Sequence, residues 1–572
     1  RLQELCGSAR ASQNSQKCSA WKQSPFDDLY SIWYDHVDKS SLAYTSQYPV
    51  HKSKRQWKMK GENMKKLLLP FITILLLSVS ACGKTETFNP AGQISETKTQ
   101  DQVQNDVLTP TITPAEPAAT GGADNPAPTK KADGTEGNEK KNENDEDKYK
   151  TGKYTGPAVQ GVASGMLTPV FWTELYHGAD EIVMTFDEIQ RYNEKNFESL
   201  PFLNDFKSLP ETVKSREVLN WINELGVVPK SARYDENGNK YQQKDYDSLK
   251  ANLNTGGLAE TVNVKYGLTV KRTQMRTFPT FRQSFSSASG GNDYFTETAV
   301  YAAEPVLVYH TSTDGQWYFA EMYNYKGWIP VQDVALCSKE DIISRRSFRD
   351  YLVVKVPVLF TPDSGDKRVS RLQLDMGVAL PVLSENSSGY EVEYPVCDEN
   401  NNLKLVQLTI PYSGSTSAGY LNYTVENVLI QAFRFLGEPY GWGGMNNARD
   451  CSAFVADVYR SFGIIFPRNT DQQEKMKGTV SFSGKSRKER LEILDSLRPG
   501  TPLYMPGHAM IYLGRWQDRH YIIHDVPTVY QKNGDGKLTA VRLNQVSVTP
   551  LDVCNSKGSE YLMLLTTAVL FE

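Results

Sequence analysis

A cysteine at the first turn of an amphipathic helix, directly behind a glycine-rich turn, restricts this chain more than any other feature. Residues 440–444 read Tyr-Gly-Trp-Gly-Gly and residues 450–452 read Asp-Cys-Ser, after which Phe454, Val455, Val458, Tyr459 and Phe462 recur at the i, i+3, i+4 spacing of a half-buried helix. A fold that buries this stripe must set the helix start, and Cys451 with it, against another layer. The unpaired N–H groups and aligned peptide dipole of a helix N-terminus favour a thiolate, typically by about 0.3–1 kcal/mol at an exposed site. The pattern predicts a nucleophilic cysteine.

Such a thiol needs a base. Of the seven histidines, His508, His520 and His524 lie together downstream of Cys451, in two segments that read as strands. His508, Met510 and Tyr512 alternate with Ala509, Ile511 and Leu513, so one face is expected to present His508 to the helix while the other packs inward. His524 ends a similar apolar run and can orient the far nitrogen of His508, the role of the third group in nucleophile, base and orienter sets. His520 follows the polar Gln517-Asp518-Arg519 turn and reads as exposed, while His177 and His310 read as surface or internally satisfied. No Cys/His pair outside the site has ligand spacing, so neither a metal nor a cofactor is expected.

The ordered run Asp-Cys-Ser-Ala-Phe-Val (450–455), Gly-Ile-Ile-Phe-Pro-Arg (463–468), Gly-His-Ala-Met-Ile-Tyr-Leu-Gly (507–514) and Ile-His (523–524) resembles the NlpC-type cell-wall cysteine peptidases of the papain superfamily. The resemblance covers roughly residues 420–572. It implies an α+β papain-like domain with Cys451 as nucleophile, His508 as base and acid, and His524 as orienting residue. It further implies that Tyr440, Asp450 and Ser452 line the substrate groove, with Thr470 at the place of a small hydroxylic residue after Pro-Arg. Ala453 stands where many members carry glycine, a small departure.

The other end of the chain reads differently. Met64-Lys65-Lys66, the apolar run Leu67 to Val79, and Ser80-Ala81-Cys82 form a secretory signal whose apolar run of about 13 residues is too short for a comfortable membrane span. Val-Ser-Ala-Cys resembles the bacterial lipoprotein processing box, which implies cleavage before Cys82 and its acylation; several acyl chains at about 0.8 kcal/mol per buried CH₂ make a stable anchor. Lys60-Gly61-Glu62-Asn63 can be encoded by a stretch resembling a ribosome-binding site, so residues 1–63 are read as translated upstream sequence, 64–81 as signal peptide and 82–153 as lipidated cysteine plus tether. The tether is too poor in apolar residues to offset its ordering entropy, and about 70 flexible residues reach about 45 Å on average.

Residues 154–258 carry helical signals, a capping box from Thr185 to Glu188 and the spacing of Val218, Leu219, Trp221, Ile222 and Leu225, and are expected to form a small helical module. Residues 259–345 switch to short strands between turns, the pattern of a small barrel, and Asp-Gly-Gln-Trp (314–317) and Gly-Trp-Ile-Pro (327–330) resemble bacterial SH3-like domains. Residues 346–416 give a second, weaker case, and 417–572 the peptidase-like domain. By the same resemblance the first barrel borders the groove and restricts substrates to peptides with a free N-terminal L-alanine, for which Glu297 and Tyr325 are the candidate ammonium ligands.

The expectation for the whole is a monomeric, lipid-anchored, extracytoplasmic endopeptidase. It would cut the γ-D-glutamyl to diamino-acid bond of peptidoglycan stem peptides or muropeptides. A net charge of −4 argues against a nucleic-acid partner. Past Cys82 only Cys337, Cys397, Cys451 and Cys554 remain, too scattered for a disulfide framework. A wall-binding scaffold with a vestigial site, and an amidase or acyltransferase of the papain superfamily, are the alternatives.

Overall fold

The computed structural model describes residues 151–348 and 350–571. The expectations for 1–63, for the signal at 64–81, and for Cys82 and the tether as far as residue 150 lie outside the described residues.

Helices form where the caps and stripes fall. α1 (Phe186–Ser199) starts at the Thr185 capping box, with both reciprocal bonds to Glu188 made, and α2 (Ser215–Leu225) and α3 (Gln243–Asn252) follow. These helices do not share a core of their own. Ile189 and Tyr192 of α1 join the C-terminal domain, whereas Val218 and Ile222 of α2 and Tyr246 and Leu249 of α3 join the first barrel. The expected module is therefore divided between two neighbours, because each helix carries one narrow apolar stripe, enough to cover another element but not to enclose a core. Asn193 fixes α1 by donating from Nδ2 to the Gly463 carbonyl (2.8 Å) and accepting from the Ile465 N–H (3.0 Å).

The first barrel contains β1 (Lys265–Thr269), β2 (Thr273–Arg276), β3 (Thr296–Val300), β4 (Pro305–Thr311), β5 (Trp317–Met322), β6 (Tyr325–Pro330) and β7 (Val334–Cys337), in the antiparallel order β7-β1-β4-β5-β6-β2-β3. Strand β5 is buried on both faces. Trp317 and Phe319 pack under α2 and α3, and Tyr318, Ala320 and Met322 pack with Met275, Val306 and Ile329 on the other side. A five-stranded sheet follows, β8 (Tyr351–Val354), β9 (Ala379–Asn386), β10 (Gly389–Cys397), β11 (Leu403–Pro411) and β12 (Thr416–Ala418), ordered β11-β10-β9-β8-β12. Its core is built on Val392, Tyr394 and Val396 and receives Tyr301, Ala302 and Ala303 from the end of β3.

The C-terminal domain sets α4 (Val425–Arg434) and α5 (Cys451–Arg460) against a sheet of six strands. These are β13 (Thr479–Ser481), β14 (Pro502–Met505), β15 (His508–Trp516), β16 (Arg519–Lys532), β17 (Leu538–Pro550) and β18 (Thr567–Val569), ordered β13-β18-β14-β15-β16-β17. Phe454, Val455, Val458 and Tyr459 are fully buried, each burial contributing about 1.5–3 kcal/mol.

One expectation is corrected here. The face of β15 that shares a core with α5 carries Ala509, Ile511 and Leu513, while Met510 and Tyr512 pack into a separate core on the reverse of the sheet. Small and aliphatic residues allow the helix close approach, so His508, first residue of its strand, falls on the side of Met510.

Candidate active site

Cys451 is the first residue of α5, and Asp450 is its N-cap, with Oδ1 accepting from the Ala453 N–H (3.0 Å). That oxygen also accepts from Ser452 Oγ (3.0 Å), and Oδ2 accepts from the Gly443 N–H (3.0 Å). Arg468 completes the cage, donating to both Asp450 oxygens at 3.2 and 2.6 Å, to Ser452 Oγ at 2.8 Å, and from Nε to Thr298 Oγ1 of the first barrel at 2.6 Å. Burial alone would push the Asp450 carboxyl up. Arg468 and the two backbone N–H groups outweigh it and hold the group below its ordinary value.

The strand start supplies the imidazoles. His508 Nε2 lies 2.8 Å from His524 Nδ1, and His524 Nε2 lies 3.1 Å from Thr549 Oγ1. Tyr561 closes the pair from behind, its ring centroid 6.0 Å from each imidazole. The backbone N–H of Ala509 points to the Cys451 thiol, which places the sulfur beside the His508–Ala509 peptide. Cys451 is 4% exposed and His508 7%. At that depth desolvation governs both: burial, with Asp450 next, pushes the thiol up to about 12, and burial pushes the His508 imidazole down to about 4. The thiolate expected from the helix dipole is thus overridden, because a dipole contributes about 1 kcal/mol and desolvating a charge costs several.

A pH signature follows. A thiol raised in this way is protonated at neutrality, so alkylation of Cys451 by iodoacetamide, followed by mass spectrometry, is expected to climb through pH 9 as the thiolate fraction grows. A plateau reached near pH 6–7 would contradict it.

Tyr440 is half-buried, with burial first and the nearness of Cys451 and Asp450 next raising its hydroxyl well above its ordinary value. Thr470 is buried, and its Oγ1 has no partner among the described residues. Glu297 and Tyr325 meet: Glu297 Oε2 accepts from the Tyr325 hydroxyl (2.6 Å) and Oε1 from Thr277 Oγ1 (2.5 Å). The next residue along β3 is Thr298, the Arg468 partner, so this pair sits at the barrel edge bordering the cage. His520, read from sequence as exposed, is buried, with Nδ1 2.7 Å from the Tyr512 hydroxyl; the strand begins at Arg519 and carries His520 inside with it. His310 Nε2 contacts the Asn254 carbonyl (2.9 Å), and His177 is exposed. All four cysteines beyond residue 150 are free thiols. Among the described residues no group of three or more His, Cys, Asp or Glu has metal-holding geometry.

Sequence reasoning missed Thr549, Tyr561 and the full role of Arg468. It also missed Asp525, fully buried next to His524, with no partner for either carboxylate oxygen among the described residues; burial, then Glu438 and Asp450, hold it well above the usual carboxylate range. An acid beside the second histidine is a readable signal, but its burial is not.

The turn before Cys451 is shaped by its neighbour. Gly443 (φ 58°) and Gly444 (φ 91°) are left-handed, and a Cβ there would lie 2.9 Å from the Thr296 carbonyl and 2.6 Å from Ala299 Cβ, so only glycine allows the first barrel this close.

Residues 437–548 match the model of the NlpC/P60 family, and residues 279–330 that of an SH3 domain of the SH3b1 type. The chain is 25% identical over 158 residues to a γ-D-glutamyl-L-lysine dipeptidyl-peptidase of Bacillus cereus, across 26% of this chain and 44% of that protein. It is 22% identical over 264 residues to a protein of the same name from Bacillus subtilis, across 44% of this chain and 81% of that one. The solved structure of an NlpC/P60 endopeptidase from Photobacterium damselae subsp. piscicida superposes with a TM-score of 0.59 at 18% identity, covering 73% of this chain and 99% of that structure, a likeness of fold.

Proposed function

Because the chain carries an SH3b domain followed by a C-terminal NlpC/P60 domain, we propose that it is a peptidoglycan hydrolase. In this reading it cleaves the γ-D-glutamyl to diamino-acid bond of stem peptides by cysteine chemistry. The observation that carries the reading is the ordered run His508 Nε2 to His524 Nδ1 at 2.8 Å and His524 Nε2 to Thr549 Oγ1 at 3.1 Å, which starts at the residue next to Ala509, whose N–H meets the thiol.

The relay allows the proton arrangement that catalysis needs. With the Thr549 hydroxyl accepting from His524 Nε2, His524 Nδ1 is free to accept from His508 Nε2, and His508 Nδ1 is left unprotonated for the thiol. Thiol and imidazole start neutral, so the proton moves to His508 as Cys451 attacks the carbonyl, and His508 then returns it to the leaving amine. A water activated by His508 releases the acyl group from sulfur. The first N–H groups of α5, which have no acceptor inside the helix, would hold the oxyanion, with Tyr440 as helper. Glu297, presented by Tyr325 and Thr277, would bind the ammonium of an N-terminal L-alanine. Acylation of Cys82 would anchor the enzyme, outside the cytoplasm, to a bacterial envelope membrane.

The test is mass spectrometry of products from L-Ala-γ-D-Glu-diaminopimelate and from its N-acetylated form. Release of L-Ala-D-Glu from the free-amine peptide alone is expected, and Glu297→Gln should raise KM about tenfold or more, as loss of a charge-assisted bond implies. Equal cleavage of both peptides would discard the ammonium gate. Cleavage of neither would turn the reading toward a wall-binding scaffold or an acyltransferase.

A further inference from the structure

Arg449 directly precedes the Asp450 cap, and its side chain is 1% exposed. Its guanidinium makes four hydrogen bonds, one from Nε and the rest from both terminal nitrogens: Nε to Asp457 Oδ2 (2.5 Å), Nη1 to Glu438 Oε1 (2.6 Å), and Nη2 to the Pro357 carbonyl (2.6 Å) and Asp375 Oδ1 (2.8 Å). These partners come from different bodies. Asp457 lies on α5, Glu438 before the glycine turn, and Pro357 and Asp375 in the second barrel region. Tyr301 brings in the first barrel, its hydroxyl donating to Asp457 Oδ2 at 2.6 Å.

Asp375 is shared. Its Oδ1 also accepts from Arg272 Nε at 3.1 Å, and the other nitrogens of Arg272 donate to the Gly444 carbonyl (3.2 Å), Asn447 Oδ1 (3.1 Å) and the Ala448 carbonyl (2.9 Å). The segment from Gly444 to Arg449 is thereby gripped from outside along its length, and its end is closed by the Gly441 N–H donating to the Arg449 carbonyl at 2.5 Å.

Burying several charges is a poor route to stability, because well-packed apolar residues of similar volume are usually at least as stabilising. What a planar guanidinium supplies is direction, several bonds at fixed angles to one another. We propose that Arg449 is a positioning residue: through it the two barrels set the backbone of Asp450 and Cys451, so chemistry at the thiol depends on barrel residues that never touch it. The proposal rests on Cys451 being the nucleophile, and a displacement of about 1 Å at a reacting atom can cost about 10²-fold in rate.

The test uses the full chain with three substitutions: Arg449→Lys keeps the charge and loses the fork, Asp375→Asn keeps the shape and loses the shared charge, and Tyr301→Phe removes one hydroxyl. Two readouts are taken, kcat and KM on the free-amine tripeptide, and the rate of Cys451 alkylation by iodoacetamide at pH 8. Arg449→Lys and Asp375→Asn are expected to lower kcat at least about tenfold with KM within about threefold, and their double variant to be no worse than the weaker single, as members of one network are. Alkylation should quicken about fivefold or more as the gripped segment loosens. Folded variants with parental kcat, or with a raised KM alone, would overturn the proposal. Should neither of these variants fold, Tyr301→Phe decides, an unchanged kcat and alkylation rate overturning it. If the parent cleaves no peptide, the proposed function fails, and alkylation rates still decide the positioning role: faster supports it and unchanged overturns it.

Discussion

Cys451→Ala is expected to abolish turnover, by a factor on the order of 10⁵–10⁶, while the chain retains its cooperative melt. The size of the loss follows from the site's construction. Alanine removes both the nucleophilic atom and the proton that His508 would pass to the leaving amine, so what survives is binding and oxyanion stabilisation alone. Stability changes little because a single sulfur leaves a small void at the helix start, costing about 1 kcal/mol. The double variant Cys451→Ala/His508→Ala should be no slower than either single, since the two groups act as one unit. Steady-state rates with product mass spectrometry, alongside a thermal melt, check both statements, and hydrolysis surviving in the single variant at more than a small fraction of parental rate would refute the assignment.

Arg468→Met carries the second large effect, this time on stability. The guanidinium meets both Asp450 oxygens, Ser452 and Thr298 inside a buried cage. Removing it strands a buried carboxylate, a change that costs about 3–5 kcal/mol. The pH dependence should change with it. In the parent the Asp450 carboxyl is depressed, so its contribution is present above the ordinary carboxylate value and is lost as pH falls. Without Arg468 the Ala453 and Gly443 N–H groups still pull the carboxyl down, but burial is the largest influence and is expected to raise it; the folded state then binds the extra proton, and stability is lost as pH rises. Melting temperatures of the variant should therefore fall between pH 5 and 8, while Asp450 contributes no such fall in the parent. A variant melting within about 2 °C of the parent across that range would show that the cage is not what holds the helix cap.

Much of this site was legible before the fold. The stripe from Phe454 to Phe462, the Thr185 capping box and the alternation in residues 508–513 are local patterns, and helix, cap and strand stand where those patterns put them. The resemblance in motif order also brought Glu297 and Tyr325 under consideration, and they meet at 2.6 Å although 28 positions apart. Tyr561 and Thr549 carry no local signal, since a tyrosine behind two imidazoles and a threonine across a strand are ordinary core and sheet residues until the sheet is closed. Which neighbours the helices of residues 154–258 cover was illegible for a related reason. A stripe says that a helix must be covered and is silent about which neighbour covers it.

By itself the sequence determined what depends on residues a few positions apart: where helices start, which side chains share a strand face, and that a thiol opens α5 with histidines downstream. Tertiary structure decided everything set by desolvation and by distant partners. It chose the Ala509 face over the His508 face for contact with α5, because the helix can approach only small and aliphatic side chains. It left the thiol and the imidazole neutral, because burial outweighs a helix dipole. It also joined Arg449 and Arg468 to both barrels, since a buried charge must find its counter-charges wherever the fold brings them.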